Sequence, residues 1–194
     1  REVALKEYMP ATLVDRNETM HVSLVSQEHA DTFALGLRSF VNEAKMLAHF
    51  DHPSLLKVHR FWEANGTAYM AMPYYRGHTL KARMQQDGPP PTEAWLRQLL
   101  APLLDALKLL HSENCFHRDI APDNILLLAD DRPVLLDFGA ARQVIGDMTQ
   151  GLTVILKSGY APIEQYAEIN TLRQGPWTDL YALGASLHMV LTGK

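Results

Sequence analysis

The chain is poor in cysteine: a single one, Cys115, stands among 194 residues. That excludes an internal disulfide and a cysteine-based zinc site, and it suits a reducing, cytoplasmic compartment. Burial is the expected fate of this lone thiol. Long hydrophobic runs are also missing. The longest, Leu99 to Leu110, is interrupted by Asp105 and Lys108 and falls short of the ~20 apolar residues of a bilayer-spanning helix. No signal peptide or membrane anchor is legible. Neither sign of charge is in excess, since 18 Lys and Arg face 22 Asp and Glu for a net charge of −4. The basic residues are scattered, so neither nucleic acid nor an anionic membrane is expected as the main partner. Repeats and low-complexity tracts are absent. What is present, 47 % hydrophobic and 21 % charged residues, predicts one soluble globular unit or a unit with two small lobes.

Local patterns give the elements. Val3 to Tyr8 reads as a strand, and the polar stretch Pro10 to Ala30 as a loop-like insertion in which Met20 to Val25 is a candidate short strand. Apolar residues then recur at three- and four-residue steps from Phe33 to Ala48, predicting an amphipathic helix capped by Asp31 or Thr32. Leu55 to Glu63 and Thr67 to Met72 flank Asn65-Gly66, a hairpin signal. Pro73 to Gly77 has the punctuation of a hinge, Leu80 to Gln86 reads as a short helix, and Gly88 to Pro91 as a stiff connector. Thr92 caps a long helix with a wide apolar stripe from Trp95 to Leu110, expected to be largely buried. A last apolar helix runs from Thr178 to Leu191 and stops at Gly193.

The chemistry concentrates between these helices. His117-Arg118-Asp119-Ile120-Ala121-Pro122-Asp123-Asn124 is followed by an apolar run, a turn, a returning run Pro133 to Leu136, and Asp137-Phe138-Gly139. A hairpin built on the two runs brings Asp119, Asn124 and Asp137 into one cleft, two acids and an amide suited to a metal-nucleotide and a hydroxyl nucleophile. Each short motif alone would be an ordinary turn or cap. In this order and separation they resemble the catalytic core of a protein kinase, specifically the bacterial serine/threonine kinases of eukaryotic (Hanks) type. The resemblance implies an α+β, two-lobed fold. Residues 1–72 would form part of a small β-rich lobe with one helix, 73–77 the hinge, and 78–194 part of a larger, mainly helical lobe. The two strands and glycine-rich loop that precede Lys6 in the family, and its last helices, fall outside the sequence, which is therefore expected to be a fragment at both ends.

The resemblance also assigns roles. Asp119 would be the catalytic base, Asn124 and Asp137 the ligands of magnesium (or manganese), and Lys6 of Val-Ala-Leu-Lys the ligand of the α- and β-phosphates of ATP, with Glu43 as its helix partner. The Lys6–Glu43 separation is longer than the family's usual one, so the Pro10 to Ala30 insertion must loop out. Ala4 and Leu126 would sandwich adenine, Met72 would be the gatekeeper, and the Pro73 carbonyl and Tyr75 N–H would bond the ring. Leu47, Val58, His117 and Phe138 fall on the family's regulatory spine, Asp179 on the aspartate that braces the catalytic loop, and Glu164 on a residue paired with an arginine beyond Lys194. One departure stands out. The lysine usual two residues after the catalytic aspartate is Ala121, while Lys157 replaces a threonine that folds against the catalytic loop, so Lys157 is expected to supply the missing charge. Arg118 resembles the arginine that pairs with a phosphorylated activation segment, and Thr149, Thr153 and Ser158 are hydroxyls within reach; this leaves activation by autophosphorylation, with self-association for it, open without indicating it. The function implied is ATP-dependent phosphorylation of protein serine or threonine. The alternatives are a pseudokinase acting as a nucleotide-binding interaction module, an inactive kinase fragment, or a small-molecule kinase of similar fold.

Overall fold

The computed structural model describes residues 2–86, 90–137, 142–143, 157–166 and 173–193. The chain divides into two compact units, Arg1–Asp51 with Lys57–Tyr74, and His52–Leu56 with Tyr75–Lys194. The division falls between Tyr74 and Tyr75, inside the segment with hinge punctuation, and the short stretch His52–Leu56 groups with the second unit.

In the first unit the elements are β1 (Val3–Glu7), β2 (Val14–Arg16), β3 (Val22–Leu24), a 3-10 turn (Gln27–His29), α1 (Ala30–His49), β4 (Arg60–Ala64) and β5 (Thr67–Pro73). β1, β5 and β4 form an antiparallel sheet in that order, with Lys6 opposite Met70 and Ala4 opposite Met72. The insertion is more than a loop: its candidate strand is present as β3, and β2 is an additional strand not expected from the sequence. β2 and β3 pair as an antiparallel hairpin with Val14 opposite Leu24, and Val14 and Val22 are only 2 % and 4 % exposed. Asn17 organises its tip, its Oδ1 accepting the N–H groups of Thr19 and His21. Strands of three residues are too short for a two-residue alternation to show in sequence, and docking decides them: the Val22 N–H donates to the Asn65 carbonyl at 2.7 Å. Asn65 and Gly66, with φ of 53° and 75°, make the left-handed pair that a tight hairpin between β4 and β5 requires.

α1 starts earlier than its sequence caps suggest. Its N-cap is His29, with no side-chain bond, because the 3-10 turn feeds straight into the helix and Ser26 caps that turn instead, accepting from Glu28 N–H. Phe40, Glu43, Ala44 and Leu47 are its buried residues, the spacing of one helical face. β4 begins at Arg60 rather than near Leu55; Leu55 instead bridges in parallel to Leu135 within the second unit.

The second unit contains β6 (Gly77–Thr79), α2 (Leu80–Met84), α3 (Glu93–Ser112), β7 (Cys115–Phe116), β8 (Ile125–Leu128), β9 (Pro133–Leu135), β10 (Arg142–Gln143), α4 (Ile163–Tyr166) and α5 (Pro176–Thr192). β8 and β9 are the expected hairpin, and β6 adds to it as a third strand. Gly77 permits that addition, since a Cβ there would collide with the Leu127 carbonyl oxygen. Thr92 caps α3 through Trp95 N–H at 3.2 Å, and Leu99, Leu103, Ala106, Leu107 and Leu110 are its buried residues. Leu104 is 43 % exposed, so the buried stripe is narrower than expected. Pro176 opens α5, where a missing N–H costs nothing, and left-handed Gly193 (φ 70°) ends it. Cys115 is 1 % exposed, and burial first, then the nearby Asp179 carboxylate, pushes its thiol up to about 12. This α+β content is the class expected. Among the described residues no helix is long and apolar enough to cross a membrane.

Candidate active site

The site in the second unit is built outward from Asp179, in the first turn of α5. Its side chain is fully buried and accepts the His117 N–H at 2.9 Å, the Arg118 N–H at 2.7 Å and a bond from His111 Nε2 at 2.7 Å. Backbone N–H groups have no sequence signature, yet these two fix the turn that presents the next residue. Arg118 sits at φ 65°, a left-handed conformation that costs a non-glycine residue on the order of 1–2 kcal/mol. It persists because both sides are tied, with Gln165 Nε2 donating to the Arg118 carbonyl at 2.8 Å.

His117 is more than a packed spine residue. It is fully buried, and burial lowers its pKa, so the ring is neutral and one nitrogen donates while the other accepts. Nε2 lies 3.1 Å from the Leu136 carbonyl and Nδ1 accepts the Asp119 N–H at 3.3 Å. The imidazole therefore cross-links the backbone beside Asp137 to the backbone of Asp119. The Leu136 N–H completes the clamp by donating to the Asn124 carbonyl at 2.9 Å. Asp137 follows directly, exposed and at φ 51°. Its neighbours Phe138 and Gly139 lie outside the described residues, as do Thr149 and Thr153.

Around Asp119 the side chains converge. Asn124 Nδ2 donates to the Asp119 carbonyl at 2.8 Å and to its Oδ2 at 2.7 Å. Lys157 Nζ is 3.4 Å from Asp119 Oδ2 and 2.8 Å from Asp123 Oδ1. Burial raises the Asp119 carboxyl above its ordinary pKa, opposed chiefly by the Lys157 ammonium. A half-desolvated carboxylate beside a cation is poised to orient and accept a proton. Position 121 offers no charge: Ala121 is 1 % exposed, and its carbonyl accepts the Asn124 N–H. Asp123, given no role by sequence, makes the shorter contact with Lys157. Only the pairing reveals it, since an acid before Asn124 reads as one more polar loop residue.

The oxygen donors here suit a hard cation. With the Asn124 amide nitrogen engaged on Asp119, the amide oxygen of Asn124 and the carboxylate of Asp137 are the oxygen donors that could hold one. Among the described residues no three His, Cys, Asp or Glu side chains gather into a metal cage. Magnesium does not need one, because it keeps waters and phosphate oxygens and uses one or two protein ligands.

In the first unit Lys6 Nζ bonds Glu43 Oε1 at 3.0 Å, with side-chain exposures of 39 % and 7 %. The β2–β3 hairpin takes up the long insertion between them. Met72 is 8 % exposed and stands opposite Ala4, while Pro73 stands opposite Val3. Tyr75 and Leu126 are half-buried residues of the second unit, Leu126 lying on β8 opposite Thr79 and Val134. Leu47 and Val58 are buried. Ser158 is exposed, and Glu164 accepts from the Thr178 hydroxyl at 3.0 Å.

Comparison with known proteins follows the same outline. Serine/threonine-protein kinase PknA of Nostoc sp. is 38 % identical over 144 residues, covering 71 % of this chain and 25 % of that protein. Serine/threonine-protein kinase F of Synechocystis sp. is 30 % identical over 198 residues, covering 100 % of this chain and 39 % of that protein. The chain thus spans well under half the length of these curated relatives. A solved structure, PpkA-294 in its apo form, matches with a TM-score of 0.85 at 49 % identity, covering 100 % of this chain and 67 % of that one. The protein kinase domain profile matches residues 10–194, a span that includes Glu43, Asp119, Asn124, Asp137 and Lys157, and on that match the chain belongs to the protein kinase domain family.

Proposed function

We propose that this kinase domain transfers the γ-phosphate of ATP to serine or threonine hydroxyls of protein substrates, in a reducing cytoplasm. The observation that carries the proposal is the Asp119–Asn124–Lys157 cluster, with separations of 2.7 Å and 3.4 Å from Asp119 Oδ2. Asp119 orients the acceptor hydroxyl and takes its proton as the new bond forms. Lys6, held by Glu43, receives the α- and β-phosphates. Asn124 and Asp137 are the residues for magnesium or manganese, which when bound neutralises triphosphate charge. Ala4, Met72 and Leu126 are the apolar residues for adenine, and the Pro73 carbonyl and Tyr75 N–H its hydrogen-bonding partners; a proline keeps its carbonyl, so Pro73 serves as acceptor. Relatives named serine/threonine-protein kinases support the choice of acceptor.

Incubating the complete protein with labelled ATP, magnesium and a generic basic protein is expected to place label on serine or threonine. Absence of transfer to substrate or self would end the enzymatic reading and favour the pseudokinase, whose support is Ala121.

Lys157 answers the loss at Ala121. Its ammonium reaches the catalytic loop and shares its charge between Asp119 and Asp123. Lys157→Ala is expected to lower the transfer rate on the order of 10²-fold, the cost of removing one positioned charge contact. Lys157→Arg should keep the charge and recover part of the rate. Steady-state kinetics decide it, and an unchanged kcat in Lys157→Ala would remove the assignment.

A further inference from the structure

The Lys6–Glu43 pair joins a strand to a helix 37 positions away, and something must set how closely that helix approaches. Lys6 and Tyr8 are two positions apart and point to one face of the strand; Tyr8 continues the ladder past β1, its N–H donating to the Ala68 carbonyl at 3.0 Å. Glu43 and Gly36 are seven positions apart on α1, about two turns, and share one face. Tyr8 and Gly36 thus form a second rung beside Lys6 and Glu43. The contact is unusually intimate. A Cβ at Gly36 would stand 2.7 Å from Tyr8 Cζ and closer still to its hydroxyl oxygen, so the ring occupies the space that any other residue's side chain would take.

The half-buried Tyr8 ring is flanked on both sides. Phe33 and Phe40, one turn to either side of Gly36, hold it at centroid separations of 5.3 Å and 5.9 Å. Phe40 also lies under the Lys6 ammonium, 5.9 Å from Nζ to the ring centroid. Gly36 is the floor of a cup, Phe33 and Phe40 its walls, and the second wall touches the catalytic lysine. Glycine in the middle of a helix is otherwise unfavourable compared with alanine, and the cup accounts for its presence.

We infer that Tyr8 and Gly36 are positioning residues, a ring-in-notch that sets the spacing of α1 from β1 and thereby keeps Lys6 and Glu43 in contact. The consequence for activity rests on the kinase reading above. A side chain at Gly36 wedges the helix away from the strand, and the ion pair opens without either charged residue being touched.

The test compares Gly36→Ala, Tyr8→Leu and the double variant in the complete kinase, by kcat and KM for ATP, thermal unfolding, and the Lys6–Glu43 separation in crystal structures. Gly36→Ala is expected to open the ion pair and to lower kcat/KM for ATP on the order of 10²-fold, the cost of a small misplacement of a catalytic group. In the Tyr8→Leu background the collision is gone, so the same substitution should change kcat/KM by less than about threefold, a clear departure from additivity. There it should also raise the melting temperature, because alanine is the better helix former. If Gly36→Ala fails to fold, recovery of a cooperative fold in the double variant supports the inference, and failure to recover overturns it. A Gly36→Ala structure with the 3.0 Å contact intact, or an equal loss in both backgrounds, overturns it as well. A wild type that transfers no phosphate defeats the kinase reading alone, since the Lys6–Glu43 separation still decides this one.

Discussion

Asp119→Asn is expected to lower kcat for phosphoryl transfer by roughly 10³-fold, within the range that general acid–base groups contribute, while leaving the fold in place. The substitution is nearly isosteric, and the new amide still offers an oxygen to Asn124 Nδ2, which bonds Asp119 Oδ2 at 2.7 Å. The backbone bonds that shape the loop, from Asn124 Nδ2 to the Asp119 carbonyl and from the Asp119 N–H to His117 Nδ1, do not involve the carboxylate. What disappears is a proton acceptor held in a desolvated place beside Lys157. Lys157 keeps Asp123 at 2.8 Å, so the segment that carries it stays docked. KM for ATP should change little, because Asp119 is assigned to the hydroxyl and not to the nucleotide. Steady-state kinetics with a thermal melt check the result, and a kcat within tenfold of wild type would show that Asp119 is not the base.

Asp179→Ala attacks the same loop from beneath and should cost stability as well as activity. The fully buried carboxylate serves the N–H groups of His117 and Arg118 and the ring of His111. Alanine strands the two buried N–H groups without water, and the half-buried His111 ring loses its partner as well. Each unsatisfied buried group costs about 1–3 kcal/mol, so the two N–H groups together cost on the order of 2–6 kcal/mol, a large part of the ~5–15 kcal/mol that holds a domain together. Arg118, at φ 65°, is then free to relax to an ordinary conformation, and Asp119 moves with it. Asp179→Asn keeps one acceptor oxygen but turns an NH₂ towards the other N–H, so its cost should be intermediate. Urea unfolding measures both, and a loss below about 1 kcal/mol for alanine, the worth of one ordinary hydrogen bond, would mean that the loop is braced from elsewhere.

The parts of the fold legible in the sequence are those whose signals are local. The α3 stripe, the Thr92 cap, the Asn65-Gly66 turn and the β8–β9 hairpin each announce themselves within a few residues. Asp119 and Asn124 share one loop, and the hairpin that returns to Asp137 is short, so their convergence could be argued from spacing. Lys6 and Glu43 lie 37 positions apart and were joined only through the family resemblance. Of the two strands in the insertion between them, β3 falls inside the Met20 to Val25 candidate, whereas β2 has no signal because three residues are too few to show an alternation. The start of α1 was displaced because a 3-10 turn, fixed by Ser26, moved the cap upstream. β6 hid behind hinge punctuation, since Gly77 serves a close backbone approach there rather than a turn.

The sequence alone determined the chemistry on offer: which residues carry charge and which loop holds the acid and the amide; the family resemblance added that position 121 lacks its cation and that Lys157 is the candidate to replace it. The tertiary structure alone decided how those groups are held. It made His117 a neutral cross-link rather than packing, put Asp123 nearer than Asp119 to Lys157, and set Tyr8 in the notch at Gly36. The reason is physical. Periodicity, caps and turns are short-range preferences written in neighbouring residues, whereas buried hydrogen bonds and ring contacts join distant positions, depend on backbone groups that every residue carries, and exist only once the chain has packed.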